Sequence, residues 1–296
     1  MRLLTIETIL VATDLTDTSA AAVATAARLA DATGAALHVG HVAPGPDDLD
    51  AAAGRRAEYE QEIGKALELA KHTTRPQTHL MFGEPHRAIS SLAEKIRADV
   101  VVLGRRGGTR ELDTDRPVGS MAYACVTHTL VPVLVVAEPL SIPMHDALVA
   151  VDASEAARGS LLVAVSWSSA LRDGAPASGR LTVFHVDTGA DPTKQSAKMR
   201  RSVAHDADVL QRNAVRWAGV TVDRLTVENP DPAAAIARHA IDSRAELVIL
   251  GTRASAEHGS SIWGSVSAAV TRRLSIPVLL VPPAVWRDHV RDIDPF

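Results

Sequence analysis

Glu246 to Ser265, ELVILGTRASAEHGSSIWGS, joins an apolar segment to a glycine, a loop of small residues and a Gly-Ser pair before a helical pattern. Asp99 to Ser120, DVVVLGRRGGTRELDTDRPVGS, repeats this outline earlier in the chain. Each copy leads through a helix-length segment into an apolar strand that contains proline, Val131 to Val136 and Ile276 to Val281. A strand, a glycine loop and a helix start in this order are typical of parallel α/β proteins that hold an anionic group.

Other parts of the chain are duplicated in the same way. VATD at Val11 to Asp14 returns as VAVD ending at Asp152, and LHVGHV ending at Val42 returns as LTVFHV ending at Val186. The matching segments are offset by 138 to 147 residues in a chain of 296, which indicates two duplicated domains and not a solenoid. We therefore predict domains at residues 1–139 and 144–283, joined by a proline-containing linker that disfavours helix. A separate tail, residues 284–296, has roughly helical apolar spacing and is expected to dock on the surface.

Strand-like and helix-like segments alternate within each copy. In the first copy the predicted strands are Thr8 to Thr13, Ala35 to Val42, Gln77 to Phe82, Val100 to Leu103 and Val131 to Val136, and the predicted helices are Thr16 to Leu29, Asp47 to Lys71 and Pro85 to Arg97. The last two strands are continuous apolar runs, as expected for strands covered on both faces. The alternation predicts a doubly wound parallel sheet, in which ligands bind beyond the carboxyl ends of the strands.

Composition narrows the class of protein. A hydrophobic fraction of 46% and a charged fraction of 22% are typical of a soluble globular protein. A net charge of −4 without a basic block argues against non-specific nucleic-acid binding. No segment approaches the roughly 20 apolar residues of a membrane span, and the N-terminus lacks the pattern of a signal peptide. We therefore expect no membrane partner and a cytoplasmic location. The single cysteine, Cys125, lies in an apolar helical pattern that favours a buried hydrophobic role over a reactive thiol.

Several of these segments together resemble the universal stress protein family. They are VATD, LHVGHV, GEPHRAI from Gly83, VVLGRRG ending at Gly107, and the closing Gly-Ser and PVLVV segments. The resemblance covers nearly all of the chain, twice. It implies two doubly wound α/β domains, each with a five-stranded parallel sheet flanked by helices, of the adenine nucleotide α-hydrolase-like kind. It also implies a stress-response regulator that binds ATP, or ADP or AMP, in one or both crevices.

Family members that bind ATP share a Gly-x2-Gly-x9-Gly-Ser/Thr loop after the fourth strand, and the second repeat departs from it once. Gly251 and Gly264-Ser265 keep the spacing, but Ala254 stands at the second glycine. The added methyl group matters only where the backbone needs a positive φ or touches a phosphate closely.

The first repeat departs from the same loop in a different way. Gly104 and Gly107 are both present, but eleven residues instead of nine separate Gly107 from Gly119-Ser120. A two-residue insertion in a loop has a small entropic cost. Neither departure disqualifies its repeat.

By resemblance, Asp14 and Asp152 would lie beside the adenine or ribose, and Val42 and Val186 would meet the adenine through backbone groups. The predicted nucleotide-binding residues are Ala12, Thr13, Asp14, Val42, Gly83, Gly104, Gly107, Gly119 and Ser120 in the first repeat, and Ala150, Val151, Asp152, Val186, Gly251, Ala254, Gly264, Ser265, Val266 and Ser267 in the second. The alternative is structural: each Asp is a turn residue, each Val is sheet core, and Gly-Ser is a helix N-cap.

Charge and motif content set the expected chemistry. Neither loop carries enough positive charge to neutralise a triphosphate, so Mg²⁺ is expected to accompany it. The sequence contains no G-x-S-x-G elbow, P-loop lysine motif or H-E-x-x-H. We assign no catalytic or metal-ligating residue and expect slow ATP hydrolysis at most. His38 and His41 lie three apart on a strand and face opposite sides, so they cannot chelate one metal, whereas His41 and His185 are expected in the crevice wall.

Two other functions remain open at this stage. One is an interaction module of the same fold with empty crevices, which assembles through its sheet edges. The other is an enzyme that uses the crevice for adenylyl chemistry. Self-association through sheet edges is expected for the nucleotide-binding function as well.

Overall fold

Apolar runs of the sequence form the central strands of two α/β repeats in a computed structural model. The structure describes residues 3–43, 57–65, 67, 76–105, 120–152, 154–172, 179–189, 205, 220–252 and 264–287. It divides into one unit of residues 6–140 and a second unit of residues 141–296 together with the chain up to Thr5. We call these units the first and the second repeat.

The first repeat contains five parallel strands in the order β3-β2-β1-β4-β5. The strands are β1 (Thr8–Ala12), β2 (Ala36–Ala43), β3 (Gln77–Phe82), β4 (Val100–Gly104) and β5 (Val133–Val136). The described helices are α1 (Asp17–Thr33), α2 (57–65), α3 (Pro85–Lys95) and α4 (Ser120–His128). Strands β4 and β5 are buried almost throughout, as their uninterrupted apolar sequences predict.

The second repeat has the same parallel order, β8-β7-β6-β9-β10. Its strands are β6 (Asp146–Ala150), β7 (Gly179–Asp187), β8 (Val220–Glu228), β9 (Leu247–Gly251) and β10 (Val278–Val281). Its described helices are α5 (Glu155–Ala170), α6 (Pro232–Asp242) and α7 (Ser265–Arg273). This arrangement confirms the prediction of two doubly wound domains with five-stranded parallel sheets.

Helices cover both faces of each sheet. In the first repeat α1 packs on β1, β2 and β4, whereas α3 packs on β2 and β3 and against α4. A Cβ on Gly40 of β2 would meet Leu92 of α3, while the next residue, His41, stacks on Tyr59 of α2 with ring centroids 5.3 Å apart. Because neighbouring strand residues point to opposite faces, α1 and α2 cover one face and α3 and α4 the other.

Local backbone signals set the helix ends. Helix α1 was predicted to end at Leu29 but continues to Thr33, because Gly34 adopts a left-handed φ of 74° and its N–H reaches Ala30 O at 2.8 Å. Helix α3 was predicted to reach Arg97 but ends at Lys95, and Arg97 has a φ of 52°. The predicted helix Asp47 to Lys71 is helical at 57–65, and most of its remainder lies outside the described residues.

The single cysteine is buried, and the first residues of the tail lie beside α5. Cys125 is 1% exposed, and burial raises its pKa to about 12, so it is a buried thiol and not a reactive one. Residues 284–287 of the tail form a helical turn, in which Trp286 lies under the guanidinium of Arg158 on α5. None of the helices in the described ranges has the length and apolarity needed to cross a membrane.

Candidate functional site

The loop after the first strand of each repeat is held by its aspartate. Asp14 Oδ1 accepts from the N–H of Thr16 at 3.1 Å and from its hydroxyl at 2.7 Å. Asp152 Oδ1 likewise accepts from the N–H of Ser154 at 2.9 Å and from its hydroxyl. The side chain of Ser154 then accepts from Ala157 N at 3.2 Å and caps α5. Both aspartates therefore stabilise a turn, the structural role that the sequence left open.

A histidine fixes the same loop in both repeats. His41 Nδ1 lies 2.8 Å from Thr13 O, and His185 Nδ1 lies 2.9 Å from Val151 O. In each case the bonded carbonyl belongs to the residue before the aspartate. The two histidines therefore hold the loop after the first strand and act as positioning residues. The described lining of the second-repeat crevice includes Phe184 and Val186 but not His185, so the histidine supports the loop from behind the wall.

The first-repeat loop carries a backbone outlier at Leu15. Its φ is 62°, in the left-handed region that costs a non-glycine residue roughly 1–2 kcal/mol. The N–H of Leu15 donates to Thr13 Oγ1 at 3.0 Å, and Thr13 Oγ1 lies 2.7 Å from the hydroxyl of Ser19. These bonds hold a conformation that leaves the Leu15 side chain 36% exposed.

A crevice of about 290 Å³ opens at the carboxyl ends of the strands in the second repeat. Its walls come from β6, β7 and β9 and from the first turns of α5, α6 and α7. The described lining is Ala150, Val151, Asp152, Ala157, Phe184, Val186, Thr188, Pro232, Ile236, Leu250, Gly251, Val266 and Ser267. Seven of the ten residues predicted for this repeat therefore line one crevice.

The other three predicted residues of the second repeat have different places. Gly264 is the N-cap of α7 and Ser265 is the first residue of that helix, and both lie next to the lining residue Val266. Gly264 supplies no side-chain cap, so the first N–H groups of α7, which begin beside Val266, have no side-chain acceptor from this residue. Ala254 lies outside the described residues.

Gly251 has a packing role that the motif did not reveal. A Cβ at this position would lie 2.8 Å from Ala156 Cβ and 2.9 Å from the Ala156 backbone carbon. Such distances require the helix to move, because one of the two atoms belongs to its backbone. The glycine therefore allows α5 to pack on the end of β9, whether or not a phosphate approaches.

Sequence reasoning missed several wall residues, chiefly Phe184 and Ile236. Phe184 is 1% exposed and stacks on His239 of α6 with ring centroids 4.7 Å apart. Two signals point to these positions: Phe184 lies two residues before Val186 and so shares its face of β7, and Ile236 lies one helical turn after Pro232. The crevice floor is therefore more apolar and more aromatic than the predicted residues indicate.

In the first repeat the predicted residues lie at matching strand ends. Ala12 ends β1, Val42 lies in β2 and Gly104 ends β4. Gly83 adopts a φ of 101° between β3 and α3, so the backbone itself requires glycine there. Thr13 and Asp14 form the loop described above. Gly107 and Gly119 lie outside the described residues, and the backbone of Ser120 opens α4.

The groups that join the last helix of each repeat to the helix before it differ between the repeats. In the second repeat Arg273 of α7 donates to both carboxylate oxygens of Asp231, at 3.3 and 3.0 Å, and this pairing lowers the pKa of Asp231. In the first repeat the ring of His128 of α4 instead lies 4.8 Å from that of His86. The second repeat thus joins its last helix to the start of α6 by a bidentate ion pair, and the first joins the same elements by two rings.

Comparisons with known proteins agree with this geometry. The model of the universal stress protein family matches residues 5–137 and again residues 144–282. A universal stress protein of Thermus aquaticus, from the 3′ region of its QAH/OAS sulfhydrylase, is 32% identical over 139 residues, which are 45% of this chain and 96% of that protein. Universal stress protein G of Shigella flexneri is 34% identical over 111 residues, 34% of this chain and 76% of that protein.

Solved structures show the same fold over nearly the whole chain. A universal stress protein from Archaeoglobus fulgidus superposes with a TM-score of 0.66 at 21% identity, covering 93% of this chain and 96% of that one. One described as a putative universal stress protein from Pseudomonas aeruginosa gives 0.62 at 17% identity, covering 97% of each chain. The chain belongs to the universal stress protein family and carries two of its domains in tandem.

Proposed function

We propose that the protein is a nucleotide-dependent regulator whose second repeat binds ATP, or a related adenine nucleotide, in the 290 Å³ crevice. The observation that carries this proposal is that Asp152, Val186 and the first turn of α7 line one crevice. Its volume lies near the lower end of the range for small-molecule sites, roughly 300–1,000 Å³, and suits a nucleoside with its phosphates toward the mouth.

The residues of the crevice suit a nucleotide whose base lies in the inner part and whose phosphates lie at the mouth. Phe184, Ile236 and Leu250 line the inner part and offer apolar contact to a base. At the mouth, the N–H groups that begin α7 are suited to phosphate oxygens, because a helix N-terminus carries partial positive charge. Hydrogen bonds to a charged group contribute roughly 1.5–3 kcal/mol each, so a few of them support micromolar affinity.

A divalent cation fits the charges of this site. The lining residues that the structure describes include one carboxylate, Asp152, and no lysine or arginine. Mg²⁺ commonly binds through one or two carboxylates together with substrate phosphates. Bound there, Mg²⁺ would neutralise phosphate charge, and Asp152 is the residue of this crevice that would hold it. The first repeat has the same loop and histidine bond, so we propose that the carboxyl ends of its strands bind the same class of ligand.

Calorimetry of the full chain with ATP, ADP and AMP in the presence of Mg²⁺ tests this proposal. We expect micromolar binding, and Gly264→Val should weaken the binding event of the second repeat at least about tenfold while leaving that of the first repeat unchanged, because a branched side chain at the helix start blocks the phosphates. Gly64→Val on α2 is the matched control, because a Cβ on Gly64 meets no atom within 4 Å. Unchanged ATP affinity and unchanged stoichiometry in a folded Gly264→Val variant would exclude this site.

Absence of binding below millimolar would favour the assembly module, in which the fold works without a nucleotide. Self-association remains a prediction in either case. Light scattering after size exclusion, with and without ATP, measures it directly. A cytoplasmic location also remains a prediction.

A further inference from the structure

A cavity of about 450 Å³ lies in the first repeat, between α1, α2 and the loop after β1. Its described walls include Leu15, Ser19, Val23, Arg28, Ile63 and Lys65. Because α1 and α2 cover one face of the sheet, this cavity lies on the face opposite α3 and α4. The crevice of the second repeat is lined by α6 and α7, which correspond to α3 and α4, and also by Val151 and Ala157, which correspond to Thr13 and Ser19 of the cavity. The cavity therefore adjoins the position of the nucleotide crevice at the loop after β1 and the first turn of α1, and extends away from it between α1 and α2.

The second repeat shows what occupies the corresponding position there. Helix α5 corresponds to α1, so Arg158 and Gly159 take the places of Ala20 and Ala21. A Cβ on Gly159 would lie 3.4 Å from Trp286 N and 3.6 Å from Trp286 Cβ. The guanidinium of Arg158 lies 5.9 Å from the centre of the Trp286 ring. An aromatic side chain beside a cation thus covers α5, whereas Ala20 and Ala21 line an open cavity.

The first repeat has no equivalent of this tryptophan at the corresponding position. Counted from the last strand of each repeat, Val136 corresponds to Val281 and Ser141 to Trp286. A serine side chain is too small to supply the ring. The chain therefore leaves, in its first repeat, the space that an aromatic group fills in its second.

The walls of the cavity define the chemistry of its occupant. Leu15, Val23 and Ile63 give it apolar contact surface, and the left-handed φ of Leu15 leaves that side chain 36% exposed. The charged residues among the described walls are Arg28, Lys65 and Glu62, which leaves one positive charge in excess. Lys65 Nζ lies 2.6 Å from Glu62 Oε1, so the excess positive charge belongs to the exposed Arg28.

From these observations we propose that the cavity is a second ligand site, which binds a small aromatic carboxylate. The ring lies against α1 where the second repeat places Trp286, and the carboxylate faces the rim that carries Arg28. Occupancy covers Leu15 and so adjoins the loop that Asp14 holds. The proposal does not depend on nucleotide binding in either crevice.

Calorimetry of the full chain with indole-3-propionate tests the site. We expect one binding event per chain, and at least about tenfold weaker binding of tryptamine, which carries the same ring with a positive charge. No binding of indole-3-propionate up to millimolar, or equal affinity for the two compounds, would overturn the proposal.

Two variants locate the binding event. Ala24 is a half-buried wall residue of α1, so Ala24→Phe places a ring in the cavity and should abolish binding. Ser91→Phe, at an exposed position of α3 on the opposite face, is the matched control and should leave the affinity unchanged. Retained affinity in an Ala24→Phe variant that is folded by circular dichroism contradicts the site.

Arg28→Gln tests the charge without a risk of overpacking. We expect indole-3-propionate affinity to fall about three- to fivefold, as for a solvent-exposed ion pair. Lys95→Gln, an exposed cation on α3, should have no effect. If Ala24→Phe does not fold, the pair of glutamine variants decides, and equal affinities in the two contradict the proposal.

Discussion

The two repeats hold the loop after their first strand in the same way but fill the sheet beneath it differently. Gly40 of β2 stands where Phe184 stands in β7. A Cβ on Gly40 would meet Met81 Cε at 3.0 Å, and the strand register places Val227 at the position of Met81. The first repeat therefore pairs a glycine with a long side chain, and the second pairs an aromatic with a short one. In duplicated domains, a larger side chain on one strand can thus be compensated by a smaller one on the neighbouring strand, and the sheet stays the same.

The comparison also separates what the fold requires from what a ligand requires. The histidine bonds at Thr13 and Val151 occur in both repeats and serve the loop. The ion pair of Asp231 with Arg273 belongs to one repeat alone, where the first has His86 and His128. Features present in both copies are thus the better candidates for a requirement of the fold. Features present in one copy are the better candidates for a difference between their ligands.

The largest expected effect comes from Phe184. Phe184→Ala removes a fully buried ring and should lower the free energy of unfolding by about 3–5 kcal/mol. At the same place in the first repeat, Gly40→Ala meets the flexible end of Met81 and should cost less than about 1 kcal/mol. Urea unfolding followed by circular dichroism measures the free energy of unfolding of both variants. Equal losses would show that Met81 does not take the place of the Phe184 ring in the first repeat.

A smaller effect is expected at Gly251. The added methyl group of Gly251→Ala overlaps Ala156, which should lower the free energy of unfolding by about 2–3 kcal/mol. Adding Ala156→Gly removes one of the overlapping atoms but not the backbone carbon at 2.9 Å, so the double variant should recover only part of this loss. Gly64→Ala is the control, and its expected effect is a small gain from helix propensity. Full recovery in the double variant would locate the conflict in the side chain alone.

The smallest expected effect is a difference between the repeats in how their stability depends on pH. His38 of β2, whose Nδ1 lies 2.9 Å from His79 Nε2, has its pKa lowered from 6.5 by burial, whereas the second repeat has Thr182 at this place. Since the folded pKa is below the unfolded one, the contribution of neutral His38 is present above pH 6.5 and is lost as the pH falls from there through the folded pKa. A tenfold difference in proton affinity is equivalent to about 1.4 kcal/mol.

Amide hydrogen exchange of β2 and β7, corrected for intrinsic rates, measures this difference. Between about pH 7.5 and pH 5, protection should fall more in β2 than in β7. His38→Thr should remove the excess. Equal losses in the two strands, or a loss that persists in the variant, would assign the pH effect to other groups.

The sequence predicted the elements well because their signals are local. Continuous apolar runs identified β4 and β5, and the Gly-Ser pair identified the start of α7. The position of Asp152 and Gly251 at one crevice followed from the rule that ligands bind beyond the carboxyl ends of parallel strands. Val186 and Val266 were predicted only from the resemblance to the family.

What could not be predicted depends on contacts between distant segments. LTVFHV does not show that Phe184 stacks on His239, because His239 is brought there by the fold. The end of α1 was missed because Ala30 to Thr33 has little apolar pattern and the stop is set by the conformation of Gly34. Nor does any local pattern distinguish the alanines of α1 that border a cavity from residues of α5 that Trp286 covers.

The glycine that ends β9 has a consequence for how motifs of this family are interpreted. Because Ala156 requires a glycine at Gly251, that residue would persist in a copy that had lost its nucleotide. Its presence in a related sequence therefore reports that the helix after the first strand still packs on the fourth strand of the repeat. Gly264 lies at a helix start, where the proposed ligand requires a glycine. In comparisons of tandem copies, a glycine at the position of Gly251 therefore indicates that the helix packing is kept. A glycine at the position of Gly264 indicates that the copy still binds a ligand.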